Sequence, residues 1–331
     1  MAVFTRLICV PLMISFFLAA CALPSIHPAG DKTVKPILSS DHFIADDGLR
    51  LPLRIWLPET TAPDAVVIAL HGFNDYSNFF EGTGQFLADR NILTYAFDQR
   101  GFGQAPGPGF WHGIAAMTKD LTTLTTLIRA RHPKTPLYLF GESMGGAVVM
   151  VTTSQARDPG RPLDIDGVVL SAPAVWGRQT MPWYQRLALW VSAHTVPAMK
   201  LTGQGLKIMA SDNIEMLRAL GRDPLIIKAT RIDAMYGLTN LMDAALGSAS
   251  GMNVPLLMLY GKKDEIIPKE PTDLMLSRLP EGSDTDKTVI FYDNGYHMLT
   301  RDLQAEVVWR DIAKWITSRT GSPANQSAAG N

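Results

Sequence analysis

Short runs of apolar, β-branched and aromatic residues recur along this chain with helical patterns between them. That alternation limits the fold more than any other feature. The strand-like runs cover residues 51–57, 65–70, 92–97, 137–140, 167–170, 254–260 and 288–292. Several are continuous rather than alternating, the pattern of strands covered on both faces. Helical patterns lie at 78–90, 114–131, 145–157, 271–279 and 301–317. Strand and helix in repeated order predict an α/β fold, with a mostly parallel central sheet flanked by helices and an antiparallel start before Pro58. With 331 residues, 47% of them hydrophobic, the chain has ample material for one large core.

One stretch breaks the rhythm. From 175 to 252 no strand is evident, while helical pieces are expected at 183–194, 212–220 and 226–246. A helical unit inserted between two strands predicts a cap over the carboxyl end of the sheet, where ligands of open α/β sheets bind.

The chemistry centres on Gly141-Glu142-Ser143-Met144-Gly145. The motif follows the strand-like run at 137–140 and precedes a helical pattern. In that strand–turn–helix setting a serine sits on a tight turn with its hydroxyl presented, and the helix N-terminus offers N–H groups to a developing oxyanion. A serine nucleophile needs a base, and the base an orienting acid, in the chain order Ser, Asp or Glu, His. Of the two histidines after Ser143, His297 lies on a loop beyond the strand at 288–292, whereas His194 falls inside a cap helix. His297 is therefore the expected base. Asp264, on the turn after the run at 254–260, is the expected acid; Asp293, beside Asn294 and Gly295, is its rival and also reads as a turn residue. The run ending at Leu70 leads into His71-Gly72-Phe73, so the N–H groups of Phe73 and Met144 are the expected oxyanion donors, with His71 holding the loop from beneath. Asp98 and Arg100, after the run at 92–97, are expected to stabilise a neighbouring loop. No metal-ligand cluster or phosphate loop is evident, and chemistry of this kind needs no cofactor. A net charge of −1 gives no electrostatic reason to expect nucleic acid.

The N-terminus carries a different signal. Arg6 precedes an apolar run at 7–20, too short to span a membrane, which takes roughly 20 residues. A basic start, a short apolar stretch and small residues describe an export signal over residues 1–20. Its end, Leu18-Ala19-Ala20-Cys21, resembles the lipobox of bacterial lipoproteins. That resemblance implies cleavage before Cys21, lipidation there, and a membrane-anchored enzyme in the cell envelope facing the periplasm. Ala22, rather than Asp, resembles lipoproteins sorted to the outer membrane. Cys9 and Cys21 are the only cysteines, so the domain beyond them can form no internal disulfide. Residues 21–40, with three prolines and no periodicity, read as a tether. The hydrolase domain is then expected over 41–319, and 320–331 as a disordered tail.

Taken together, HGFNDYSNFF, FDQRGFGQ, GESMGG, GKKDEIIP and NGYHMLTRD resemble the monoacylglycerol lipase and lysophospholipase branch of the α/β-hydrolases, also grouped with the serine aminopeptidases. The resemblance implies hydrolysis of carboxylic esters, typically monoacylglycerols or lysophospholipids, by Ser143, Asp264 and His297. Phe-Asn-Asp after His-Gly departs from the familiar lipases and leaves the substrate open. A small-ester carboxylesterase or an acyltransferase would use the same triad. The cap is where an acyl chain would lie, against Trp183, Tyr184, Leu187 and Trp190, unless these residues serve to pack the cap on the core.

Overall fold

The computed structural model describes residues 22–156, 163–203, 205, 207–280 and 286–320. The expected export signal, Cys21 and nearly all of the expected tail lie outside them. The strands are β1 (Ile37–Leu38), β2 (His42–Ile44), β3 (Arg50–Trp56), β4 (Ala65–Leu70), β5 (Ile92–Phe97), β6 (Leu137–Glu142), β7 (Gly167–Ser171), β8 (Lys200–Thr202), β9 (Ala229–Arg231), β10 (Leu256–Gly261) and β11 (Lys287–Tyr292). The helices are α1 (Glu81–Ala88), α2 (Ile114–Arg131), α3 (Met144–Gln155), α4 (Trp183–Thr195), α5 (Ile214–Arg222), α6 (Ile232–Ser248), α7 (Lys269–Arg278) and α8 (Ala305–Thr320).

The main sheet runs β1-β2-β3-β5-β4-β6-β7-β10-β11. Pairing is parallel from β5 through β11 and antiparallel from β1 through β5, as the alternation predicts. Period-two geometry sends successive side chains to opposite faces. Val66, Ile68 and Leu70 of β4 thus join the core beneath α2, α3 and α6, whereas Ala65, Val67 and Ala69 join the core beneath α1 and α8. Both faces are covered, which is why the strands read as continuous apolar runs. Chain order reverses at β4, with β5 on one side and β6 on the other. That is where an open α/β sheet leaves a crevice at its carboxyl end.

The insert differs from its expectation in three ways. It contains a short antiparallel ribbon, β8 against β9, with Leu201 opposite Thr230. These are three-residue strands, β8 fully exposed, and neither carries a periodic signal. The last insert helix begins at Ile232 rather than 226, after β9. Beyond it, Leu241, Met242, Ala245 and Leu246 of α6 pack into the core with α3, so the later part of 175–252 belongs to the body as well as to the cap.

The expected tether also lies against the body. Ala22 N–H donates to His194 O at 2.9 Å, His27 N–H to Trp111 O at 2.8 Å, and both Thr33 and Val34 N–H to Asp46 O. The His27 ring sits 4.3 Å from that of Phe110. Extended, proline-bearing backbone leaves its N–H groups unpaired, and carbonyls on the body's surface satisfy them.

Candidate active site

Ser143 forms the turn between β6 and α3 with φ 49° and ψ −114°, a conformation side chains seldom adopt. Packing holds it there. A Cβ on Gly145 would lie 2.1 Å from Leu70 O, and one on Gly141 would lie 2.4 Å from Gly146 Cα, so neither position tolerates a side chain. Ser143 N–H donates to Ser171 O at 3.0 Å, and Ser143 O accepts from Ala147 and Ala174.

The turn after β10 and the loop after β11 meet beside it. Asp264 Oδ2 accepts from His297 Nδ1 at 2.8 Å, while Oδ1 accepts from the N–H groups of Ile266 and Ile267 at 2.8 and 2.9 Å. The carboxylate is thereby fixed, and it keeps the proton on Nδ1, leaving Nε2 as a base. Burial works against the imidazolium of His297, but the Asp264 carboxylate outweighs it and holds the ring's pKa above the usual value. Asp293, the rival acid, is instead exposed and paired with Lys262 at 2.6 Å. His194 lies in the last turn of α4, stacked on Trp190.

Across the crevice, His71 is buried beneath the loop after β4. Gln99 N–H donates to its Nε2 at 3.0 Å, so Nδ1 carries the proton and donates to Gly72 O at 2.8 Å. Burial depresses its pKa, which keeps the ring neutral and the tautomer fixed. Among the described residues, the N–H groups of Phe73 and Met144 donate to no acceptor. Asp98 holds the same edge by accepting from Ser77 and Gln104 N–H. Arg100 is buried between Asp47 and Asp120.

Ser143 and His297 line one cavity of about 300 Å³ with Gly72, Phe73 and Glu142, and the rest of its wall is largely apolar: Trp176, Leu238, Met242, Ile266, Ile267 and Met298. Trp183, Tyr184, Leu187 and Trp190 do not line it. They are 71%, 57%, 52% and 53% exposed, because the apolar stripe of α4 faces solvent rather than the crevice. Much of the apolar wall comes instead from α6 and the turn after β10, whose residues read in sequence as ordinary core.

Two acids escaped the sequence reading. Glu142, inside the central motif, is buried with Oε1 3.6 Å from His297 Nε2. Its signal was present, since it stands directly before Ser143 in the central motif, and titratable groups with perturbed pKa values cluster at functional sites. Burial pushes its carboxyl up to about 7. Asp302 ties the His297 loop to the cap: Oδ2 accepts from Tyr296 N–H at 2.8 Å, and Oδ1 accepts from Ser211 Oγ at 2.6 Å. Its position five residues after His297 could have drawn notice, but its partner on the cap could not.

The sheet order, the strained serine turn and the acid–histidine pair define an α/β-hydrolase. The chain belongs to the serine aminopeptidase S33 family, which matches residues 61–304. It is 27% identical to a monoacylglycerol lipase of Mycolicibacterium smegmatis over 84% of this chain and 97% of the relative. To human monoglyceride lipase it is 26% identical, over 88% and 95%. A soluble variant of the monoglyceride lipase of Saccharomyces cerevisiae, solved with a substrate analog, shares the fold at a TM-score of 0.70. It is 21% identical, with coverage of 90% and 100%. With these relatives and this site, the chain is a carboxylic ester hydrolase.

Proposed function

We propose that the chain hydrolyses carboxylic esters of single-chain lipids, monoacylglycerols or lysophospholipids, through an acyl-enzyme on Ser143. The observation that carries this reading is the convergence of Ser143 with the Asp264–His297 pair on one mainly apolar cavity. Ser143 Oγ attacks the ester carbonyl while His297 Nε2 takes its proton. The carbonyl oxygen becomes an oxyanion facing the N–H groups of Phe73 and Met144, each contributing about 3 kcal/mol to lowering the barrier. The ester C–O bond then breaks and the alcohol leaves with the proton from His297. Water, deprotonated by the same ring, releases the fatty acid and restores Ser143. Asp264 stabilises the imidazolium at both steps.

The relatives named as monoacylglycerol lipases support the lipid substrate, as does the apolar wall. Lipidation at Cys21 would hold the enzyme to a bacterial envelope membrane, facing the periplasm. No helix among the described residues is long and apolar enough to cross a membrane. Metabolic labelling with an alkyne fatty acid should tag the wild type and not Cys21→Ala.

The deciding experiment is hydrolysis of p-nitrophenyl esters across acyl lengths, by the wild type and Ser143→Ala. Rates rising toward medium or long chains, and lost in the variant, support the lipid reading. A comparison of monoacylglycerol with lysophospholipid then sets the head group. Rates that fall steadily with length would select a small-ester carboxylesterase. Product transfer to added alcohols would select an acyltransferase.

A further inference from the structure

The N–H of Phe73 belongs to a four-residue turn, Gly72 to Asp75. Asp75 N–H donates to Gly72 O at 3.4 Å, which closes the turn. Asn74, its third residue, has φ 66°, the left-handed conformation that a type II turn demands there and that asparagine tolerates. A trans peptide unit is planar, so Gly72 O and Phe73 N–H point in opposite directions within one plane. Whatever holds that carbonyl therefore aims the N–H. Two donors hold it: His71 Nδ1 at 2.8 Å and Asp75 N–H.

Different parts of the molecule hold the two sides of this turn. Gly72 packs on the sheet edge, where a Cβ would lie 2.2 Å from Glu142 Oε2 and 3.3 Å from Ser143 Cβ. Asn74 is held by the insert instead. Its side-chain Nδ2 donates to Thr230 Oγ1 of β9 at 2.7 Å, and its carbonyl accepts from Ile227 N–H at 3.0 Å. Thr230 is in turn set by β8, where Leu201 lies opposite it. Tyr76, two residues on, also reaches the insert, its hydroxyl donating to Asp223 Oδ2. Phe73 thus lies between a residue fixed by the body and a residue fixed by the cap.

We infer that Asn74 is a positioning residue for ester cleavage: gripped by Thr230, it holds the turn closed and so aims Phe73 N–H at the oxyanion. The inference rests on the donor role proposed above for Phe73. Neither Asn74 nor Thr230 lines the cavity, so both act through the peptide plane and not on substrate. A tie that merely fastened the cap would alter stability and the binding of long acyl chains, and would leave the oxyanion donor where it is.

The test compares the full chain with its Thr230→Val, Thr230→Ser and Asn74→Gly variants on water-soluble p-nitrophenyl acetate. Valine removes the hydroxyl at nearly constant size, and glycine keeps the positive φ while removing the amide. Each should lower kcat and kcat/KM together by about tenfold, as loss of an interaction made only in the transition state does. Serine keeps the hydroxyl and should recover most of that loss. The double variant Thr230→Val/Asn74→Gly should fall no further than either single change, because both break one bond. A trifluoromethyl ketone, whose adduct on Ser143 carries the oxyanion, should lose affinity by the same factor. The acid limb of the kcat/KM profile, set by His297, should stay in place.

Unchanged kcat in Thr230→Val, or a loss confined to KM, overturns the inference. So does an unchanged inhibition constant beside a reduced kcat, and so does a shifted acid limb, which would put the effect on the base. A wild type that hydrolyses no ester would overturn the proposed function and the positioning role together. Hydrolysis by the wild type with unaltered variants would remove the positioning role alone.

Discussion

At the carboxyl edge of the sheet, Asp264 accepts three hydrogen bonds, His71 uses both ring nitrogens, and Arg100 is clamped between two aspartates. In the cap, α5 buries no residue and α4 only one. The cap is fastened to that edge largely by polar contacts, among them Ser211 with Asp302, Asn74 with Thr230, and Tyr76 with Asp223 at 2.8 Å. One region has nearly every group committed to a single geometry; the other leaves its best apolar surface in water. Bond making needs groups held to fractions of an ångström, so the fixed constellation belongs on the rigid edge. A surface with few buried contacts can shift at low cost in free energy, which suits an element that meets substrate or membrane.

The comparison is broken most sharply at Ser143. Ser143→Ala should lower kcat/KM for a short ester by about 10⁴-fold or more with little change in thermal midpoint, and Asp264→Asn by about 10³ to 10⁴-fold. Steady-state kinetics beside a melting curve checks both; retention of more than a tenth of the activity would remove either residue from the mechanism. Next is the packing that strains the turn. Gly145→Ala would set a Cβ against Leu70 O and should destabilise the fold by about 3 kcal/mol in urea titration. A loss under about 0.5 kcal/mol would mean the edge is far softer than described.

Glu142→Gln tests the edge electrostatically. Burial lifts this carboxyl from its ordinary 4.5 to about 7. The folded chain therefore binds the proton more tightly than the unfolded one, and the wild type loses stability as pH rises across that window. The loss can reach about 3 kcal/mol. The glutamine variant lacks this loss, so its advantage in melting temperature should be greater at pH 8 than at pH 5. The Glu142 carboxylate, 3.6 Å from Nε2, also favours the charged form of His297. Its removal should move the acid limb of the kcat/KM profile to lower pH. An unmoved limb would separate Glu142 from the base. The smallest effect is expected in the cap, where Trp190→Ser should change stability by less than about 0.5 kcal/mol. A loss near 2 kcal/mol would show that the stripe is packed rather than free.

Within the site, the legible part was the part made of local sequence. Ser143, Asp264 and His297 each follow a strand within a few residues, and chain order alone ranked His297 above His194. The pairing of Asp293 with Lys262 was not legible, because Lys262 reaches it from a neighbouring loop. Nor was the cavity wall. Leu238, Met242 and Ile266 look like any core residue until the fold turns them toward Ser143. Trp183 and Trp190 misled for the same reason: an apolar stripe shows in sequence, but which side it faces does not.

By itself the sequence determined the strand–helix alternation, the serine turn with its glycines and the chain order of Ser143, Asp264 and His297. Those depend on periodicity and on contacts between near neighbours in the chain. Tertiary structure alone decided that β8 pairs with β9, that residues 22–34 lie along the body, that Glu142 faces His297, and that α4 turns its aromatic face outward. Each of these joins segments far apart in sequence, and packing and desolvation settle such contacts only when the whole chain has closed.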